Sequence, residues 1–308
     1  MALLVQSEEV VSREGDQQRN AEVSGCHEPP TARDQPGALP PAIEQVYRHR
    51  LPVRISHWLN VPFLIILIMS GPQIFNSHPA LYWGDRSDRD QPLLSIRPVQ
   101  TESGETKGVT TILSHQFEPT GVLGYSDGMG RTFPAWATIP SAKWLAMGRQ
   151  WHLFFAWLFV INGLIFTAYA LASRHATRDL APTGKDLRGI GKSVKDHLII
   201  RHPIGDEAKR YSVLQKLAYT GILFIVAPLI VLTGLAMSPT IDAAVPSLLT
   251  IFGGRQAART IHFVVCFSLV GFVVIHVLQV ILTGFWNNIR SMVTGWCVVK
   301  HEGVGHET

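Results

Sequence analysis

Four long apolar runs separated by polar segments dominate the pattern along this chain. Their cores read ISHWLNVPFLIILIMSGPQIF, QWHLFFAWLFVINGLIFTAYALAS, LFIVAPLIVLTGLAM and RTIHFVVCFSLVGFVVIHVLQ. The hydrocarbon of a bilayer takes about 20 helical residues to cross. Each run therefore predicts a spanning helix, at about 55–76, 150–173, 213–238 and 258–286. Lipid offers the backbone no hydrogen bonds, so such spans must be helical, and Pro62 and Pro228 read as kinks within them. The expected fold class is an all-α integral membrane protein, a bundle of four transmembrane helices with a long polar loop between the first two.

Charge in the connections orients the spans. Arg48, Arg50 and Arg54 stand at the start of the first, and Lys185, Arg188, Lys192, Lys195 and Arg201 crowd the connection 174–212. By the positive-inside rule these segments and both termini face the cytoplasm of a bacterial inner membrane, while 77–149 and the short link near 242–255 face outward. The outer loop 77–149 contains HPALYWGDRSDRD and GMGRTFPAWATIP, which read as turns with one or two short hairpins. Its Trp83, Phe133 and Trp136 suit an interfacial aromatic belt, loop packing or the docking of an external partner. Residues 1–44 form a polar tail without the apolar core of a signal peptide, expected to be disordered and cytoplasmic; 45–295 form the membrane domain, and 296–308 a C-terminal cytoplasmic tail.

Composition agrees. Of 308 residues, 46% are hydrophobic and 16% charged, against about a quarter charged in soluble domains. The net charge of +4 belongs to loops, and no basic stripe interleaved with aromatics argues for nucleic acid. GIGKS at 189–193 resembles the end of a phosphate-binding loop, but the earlier glycine position holds Asp186 and no strand precedes it. Cys26, Cys266 and Cys297 make no C-x-x-C pair and no C-x-x-C-H haem-attachment motif, so a haem here would be held non-covalently.

The candidate chemistry lies in histidines inside the spans. His262 and His276 stand fourteen residues apart on the fourth, about 21 Å along its axis and on nearly one side. One metal ion cannot serve both. Chain direction puts His276 and His57 near the inner face, and His262 and His152 near the outer. Two bis-histidine levels in a four-helix bundle describe two haems stacked across a membrane. Arg54 and Arg290 inside, with Arg149 and Arg259 outside, are candidate propionate partners or interfacial anchors. Gly71, Gly163, Gly234 and Gly271 are compatible with close approach of a macrocycle and equally with plain helix packing.

The motifs RISHWLN, RQWHLFFAW, RYSVLQKLAY, PLIVLTG and RTIH with a second histidine fourteen residues on, taken in order over roughly 46–295, resemble bacterial cytochrome b561-type proteins. That group includes the b-type cytochrome subunit of nickel–iron hydrogenases and the gamma subunit of formate dehydrogenases. The resemblance implies a two-haem subunit passing electrons between a quinone pool and an attached redox enzyme, either a molybdenum oxidoreductase or a hydrogenase-like enzyme. It maps His57, His152, His262 and His276 onto the haem-ligand positions. The polar tail and the long outer loop depart from the family pattern. A quinone site near the inner level would draw on Trp58, Asn60 and Asn287. The alternatives are a stand-alone transmembrane haem reductase and a haem-free transporter or scaffold; the absence of acidic residues from the spans weighs against the last.

Overall fold

The computed structural model describes residues 43–121, 124, 130–174, 183–184, 188–191, 193 and 212–300. Its long helices are α1, Leu51–Phe75; α2, Leu145–Ala172; α3, Val213–Ala236; and α4, Arg255–Leu282. All four are long and apolar enough to cross a membrane. Helix α1 opens with Pro52 in its first turn, where a missing N–H leaves no bond unmade. Helix α3 opens with a capping box: Ser212 Oγ accepts from Gln215 N at 3.2 Å, and Gln215 Oε1 accepts from Ser212 N at 3.1 Å. Helix α3 then widens into a π turn at Ile222–Val226, just before Pro228, which cannot donate to the ladder.

Helix α1 packs along α2, and α3 along α4. Large apolar side chains on the remaining faces are exposed, among them Phe154, Leu164 and Ile165 on α2 and Val274 and Ile275 on α4. On helices of this length such surface is the face that lipid covers.

Two β elements mark the ends of the bundle. Strands β2 (Ala80–Leu81), β3 (Leu94–Gln100), β4 (Thr106–Ile112) and β5 (His115–Phe117) form an antiparallel meander between α1 and α2. Leu81 and Ile96 from this sheet join Phe75 and Phe133 in a buried cluster, with Phe263 of α4 packed against it. At the other end β1 (Ile43–Tyr47) pairs antiparallel with β6 (Trp296–Lys300), following the amphipathic helix α5 (Phe285–Thr294). Trp296–Lys300 was expected within a tail; pairing buries Cys297 and Val299 and sets the Tyr47 and Trp296 rings 5.3 Å apart. Of the tail expected over 1–44, Ile43 and Glu44 belong to β1; residues 1–42, most of the connection 174–212 and residues 301–308 lie outside the described residues.

Gly295 ends α5 in the left-handed region, at φ +91°, and its carbonyl accepts from Arg48 N at 2.8 Å and His49 N at 3.3 Å. A Cβ there would meet the Tyr47 ring and the His49 carbonyl. Gly284, at φ +112°, has nothing within 4 Å of its would-be Cβ. G295A should therefore cost about 2–3 kcal/mol, strain plus displacement of the ribbon, and G284A about 1 kcal/mol, strain alone. Thermal unfolding of the two variants in detergent measures the difference.

Candidate functional site

The bundle brings four imidazoles into two pairs. At the end that carries the sheet, His152 of α2 faces His262 of α4, with ring centroids 6.3 Å apart and planes at 66°. At the end that carries the ribbon, His57 of α1 faces His276 of α4, at 6.2 Å and 61°. The Trp58 ring meets His57 edge-on at 5.4 Å, and the Phe272 ring stacks on His276 at 5.9 Å.

The sheet-end rings are held by hydroxyls from neighbouring helices. Ser70 Oγ of α1 lies 3.0 Å from His152 Nδ1, and Thr233 Oγ1 of α3 lies 3.0 Å from His262 Nδ1. At the ribbon end, His57 Nδ1 is buried without a partner among the described residues. A buried ring nitrogen without a partner is costly in an apolar surround.

Two imidazoles on opposite sides of one metal ion have centroids about 6.2 Å apart, allowing about 2 Å for each metal–nitrogen bond. Both pairs stand at that separation. Among the described residues no three His, Cys, Asp or Glu gather to hold a metal ion unaided. Two protein nitrogens per site are too few for tetrahedral zinc but suffice where a porphyrin supplies the remaining ligands. A would-be Cβ at Gly163, on the His152 side of α2, meets nothing within 4 Å. The residues present fit haem.

The candidate arginines differ in their surroundings. Arg259 donates through Nη1 to Ala80 O at 3.1 Å and through Nη2 to His78 O, and its guanidinium sits 5.6 Å from the Phe75 ring centroid. Arg54 donates to Val293 O, while its buried Nε has no partner among the described residues. Arg149 and Arg290 are exposed, and Arg290 lines a shallow concavity of about 310 Å³ with Gln45, Thr294 and Trp296. The three candidate quinone contacts all hold polar bonds: Trp58 Nε1 donates to Met292 O at 2.9 Å, Asn60 Oδ1 accepts from Asn162 Nδ2 at 2.9 Å, and Asn287 exchanges two bonds with the Val298 backbone.

Sequence reading missed the residues that seat these groups. Asn162, buried in α2, donates to both Ser56 O and Asn60 Oδ1 of α1. Asn76 Oδ1, at the end of α1, accepts from Thr132 N and Phe133 N. Gln73 donates to Pro140 O and Ala142 O. Segment 78–84 runs along the first turns of α4: Gly84 O accepts from Gln256 N and Ala257 N, and Tyr82 O from Thr260 Oγ1 at 2.6 Å. The available signal was a lone polar residue within each apolar run. Outside the spans, partial burial and then the charges of Arg259 and Arg89 hold His78 below the ordinary imidazole pKa.

Four apolar spans with two facing histidine pairs, each fitting haem, define a class of membrane-embedded, haem-binding electron-transfer protein. The family model of prokaryotic cytochrome b561 matches residues 48–295, and the chain belongs to that family. Members bind b-type haem. A protein of Azospira oryzae named "Putative protein-methionine-sulfoxide reductase subunit YedZ1" is 28% identical over 232 residues, covering 75% of this chain and 88% of that protein. No solved structure matches significantly.

The Asn162–Asn60 bond is the side-chain part of a polar tie between α1 and α2 at the ribbon-end level, beside the bond from Asn162 to Ser56 O. N162L and N60L should each destabilise the bundle by about 0.5–2 kcal/mol, and the double variant by less than the sum. Unfolding in mixed micelles, run as a double-mutant cycle, reads the coupling.

Proposed function

We propose that the chain holds two b-type haems non-covalently, one on His57 and His276 and one on His152 and His262, and carries electrons between the quinone pool and a partner oxidoreductase. The observation that carries this reading is the pair of ring separations, 6.2 and 6.3 Å, at two levels of one bundle. A bound b-type haem supplies one-electron redox chemistry at its iron. The chain's part is to ligate through four imidazoles and to pair propionates with Arg259 and Arg149 at one end and Arg54 and Arg290 at the other.

Arg48, Arg50 and Arg54 beside the ribbon favour a cytoplasmic ribbon end, with both termini inside, and an outward sheet end. The sheet, with the exposed Trp83 and Trp136 of the same connection, then faces the partner enzyme. The relative's printed name, a subunit of a methionine-sulfoxide reductase, supports a partner of the oxidoreductase class; a molybdenum enzyme fits it, as does a hydrogenase-like one. Quinone exchanges at the ribbon end, against Trp58, Asn60 and Asn287.

A reduced-minus-oxidised spectrum with haem quantitation tests the reading. The wild-type protein should hold two b-type haems per chain. H57L or H276L should retain about one and lose the same spectral component, and H152L or H262L should lose the other. A wild-type protein without a b-type spectrum, or variants that keep both haems, would overturn it.

A further inference from the structure

We propose that Ser70–Gly71 and Thr233–Gly234 are matched clamps that fix the tautomer of His152 and His262 and lower the reduction potential of the sheet-end haem. The inference rests on the two-haem proposal and assigns positioning residues to one of its two sites.

Ser70 and Thr233 are fully buried, on different helices, and each faces one ring of the same pair. A hydroxyl has one proton to give. Ser70 Oγ donates it to Leu67 O of its own helix at 3.3 Å, and Thr233 Oγ1 to Leu229 O at 2.7 Å. With that proton committed, each oxygen faces Nδ1 as an acceptor, beside the Leu67 and Ile230 carbonyls that also accept from these rings, so Nδ1 carries the ring proton and Nε2 keeps its lone pair for the metal.

The adjacent glycine completes each clamp. A Cβ at Gly71 would lie 3.7 Å from His152 Cε1, and one at Gly234 would lie 3.4 Å from His262 Cε1. Each imidazole thus rests on bare backbone while the neighbouring hydroxyl holds its far nitrogen. The ribbon end has no counterpart: among the described residues, none accepts from His57 Nδ1. A hydrogen bond from Nδ1–H to an acceptor makes Nε2 a stronger donor, which favours ferric over ferrous iron.

The test is a redox titration of purified T233V and S70A, with T233S as the conservative control, read together with the electron paramagnetic resonance of the ferric haems. Haem content should stay at the wild-type level. The sheet-end haem should shift toward the reduced form by about three- to tenfold in its equilibrium for each hydroxyl lost, tenfold being about 59 mV for one electron. The ribbon-end haem should not move, and T233S should behave as wild type. Should T233V lose haem while T233S keeps it, the hydroxyl's hold on the ring is upheld, and S70A reads the potential from the opposite ring. Two retained haems with unshifted potentials and unchanged signals in T233V and S70A would overturn the clamps while leaving the two-haem reading intact. A wild-type chain without b-type haem would remove the clamps together with the reading they depend on, and it shows before any variant is made.

Discussion

Hydrocarbon tolerates an imidazole only where its nitrogens find partners, and four imidazoles in one apolar bundle make that demand the organising constraint of this protein. Helix α4 makes that demand twice, through His262 and His276 on nearly one side of a single helix. Because α2 supplies the facing ring at one level and α1 at the other, both pairs depend on one register of these helices against α4. A shift of one turn, about 5.4 Å, would break the register of both pairs at once. Asn162 locks the same relation from the other direction, tying α2 to α1 through Ser56 O and Asn60 Oδ1.

Helix α3 brings no histidine to the pairs, yet it reaches the sheet-end site through Thr233. Its π turn at Ile222–Val226 is part of how it does so. A π turn adds a residue to the helical path and so rotates the C-terminal part of the helix by about 100° against the N-terminal part. Thr233 and Gly234 lie beyond that turn, so the face they present to α4 is set by it. Pro228, by removing one donor from the ladder at the same place, lowers the cost of the distortion.

The four spans were legible because about twenty uncharged residues in succession have few other homes than a bilayer. Grouping the histidines by depth needed only helix rise and chain direction, and the ring separations are the structural counterpart of that grouping. The β1–β6 ribbon was not legible: it joins five-residue strands from opposite ends of the domain, and nothing local in Ile43–Tyr47 announces Trp296–Lys300. The four-stranded meander was half visible, as turn chemistry without register. Ser70, Thr233 and Asn162 each stood in plain view as a polar residue inside an apolar run. Whether such a residue bonds its own helix or reaches another depends on rotation about the helix axis, which an isolated sequence leaves open.

The two ends of the bundle are built to different standards. At the sheet end the chain folds back over the site: Gly84 O takes the free N–H groups at the start of α4, Arg259 takes two loop carbonyls, and Asn76 takes two loop amides. Each bond satisfies a polar group that would otherwise meet lipid or water, and together they tie segment 78–84 and residues 132–133 to the helix ends beside the His152–His262 pair. At the ribbon end, Trp58 and Asn287 bond only to backbone of α5 and β6, and Arg290 stands exposed beside an open concavity. On the proposed function this difference has a use. A site that passes electrons to a docked protein gains from fixed geometry and excluded water, whereas one that trades with a mobile quinone needs a surface the carrier can reach and leave.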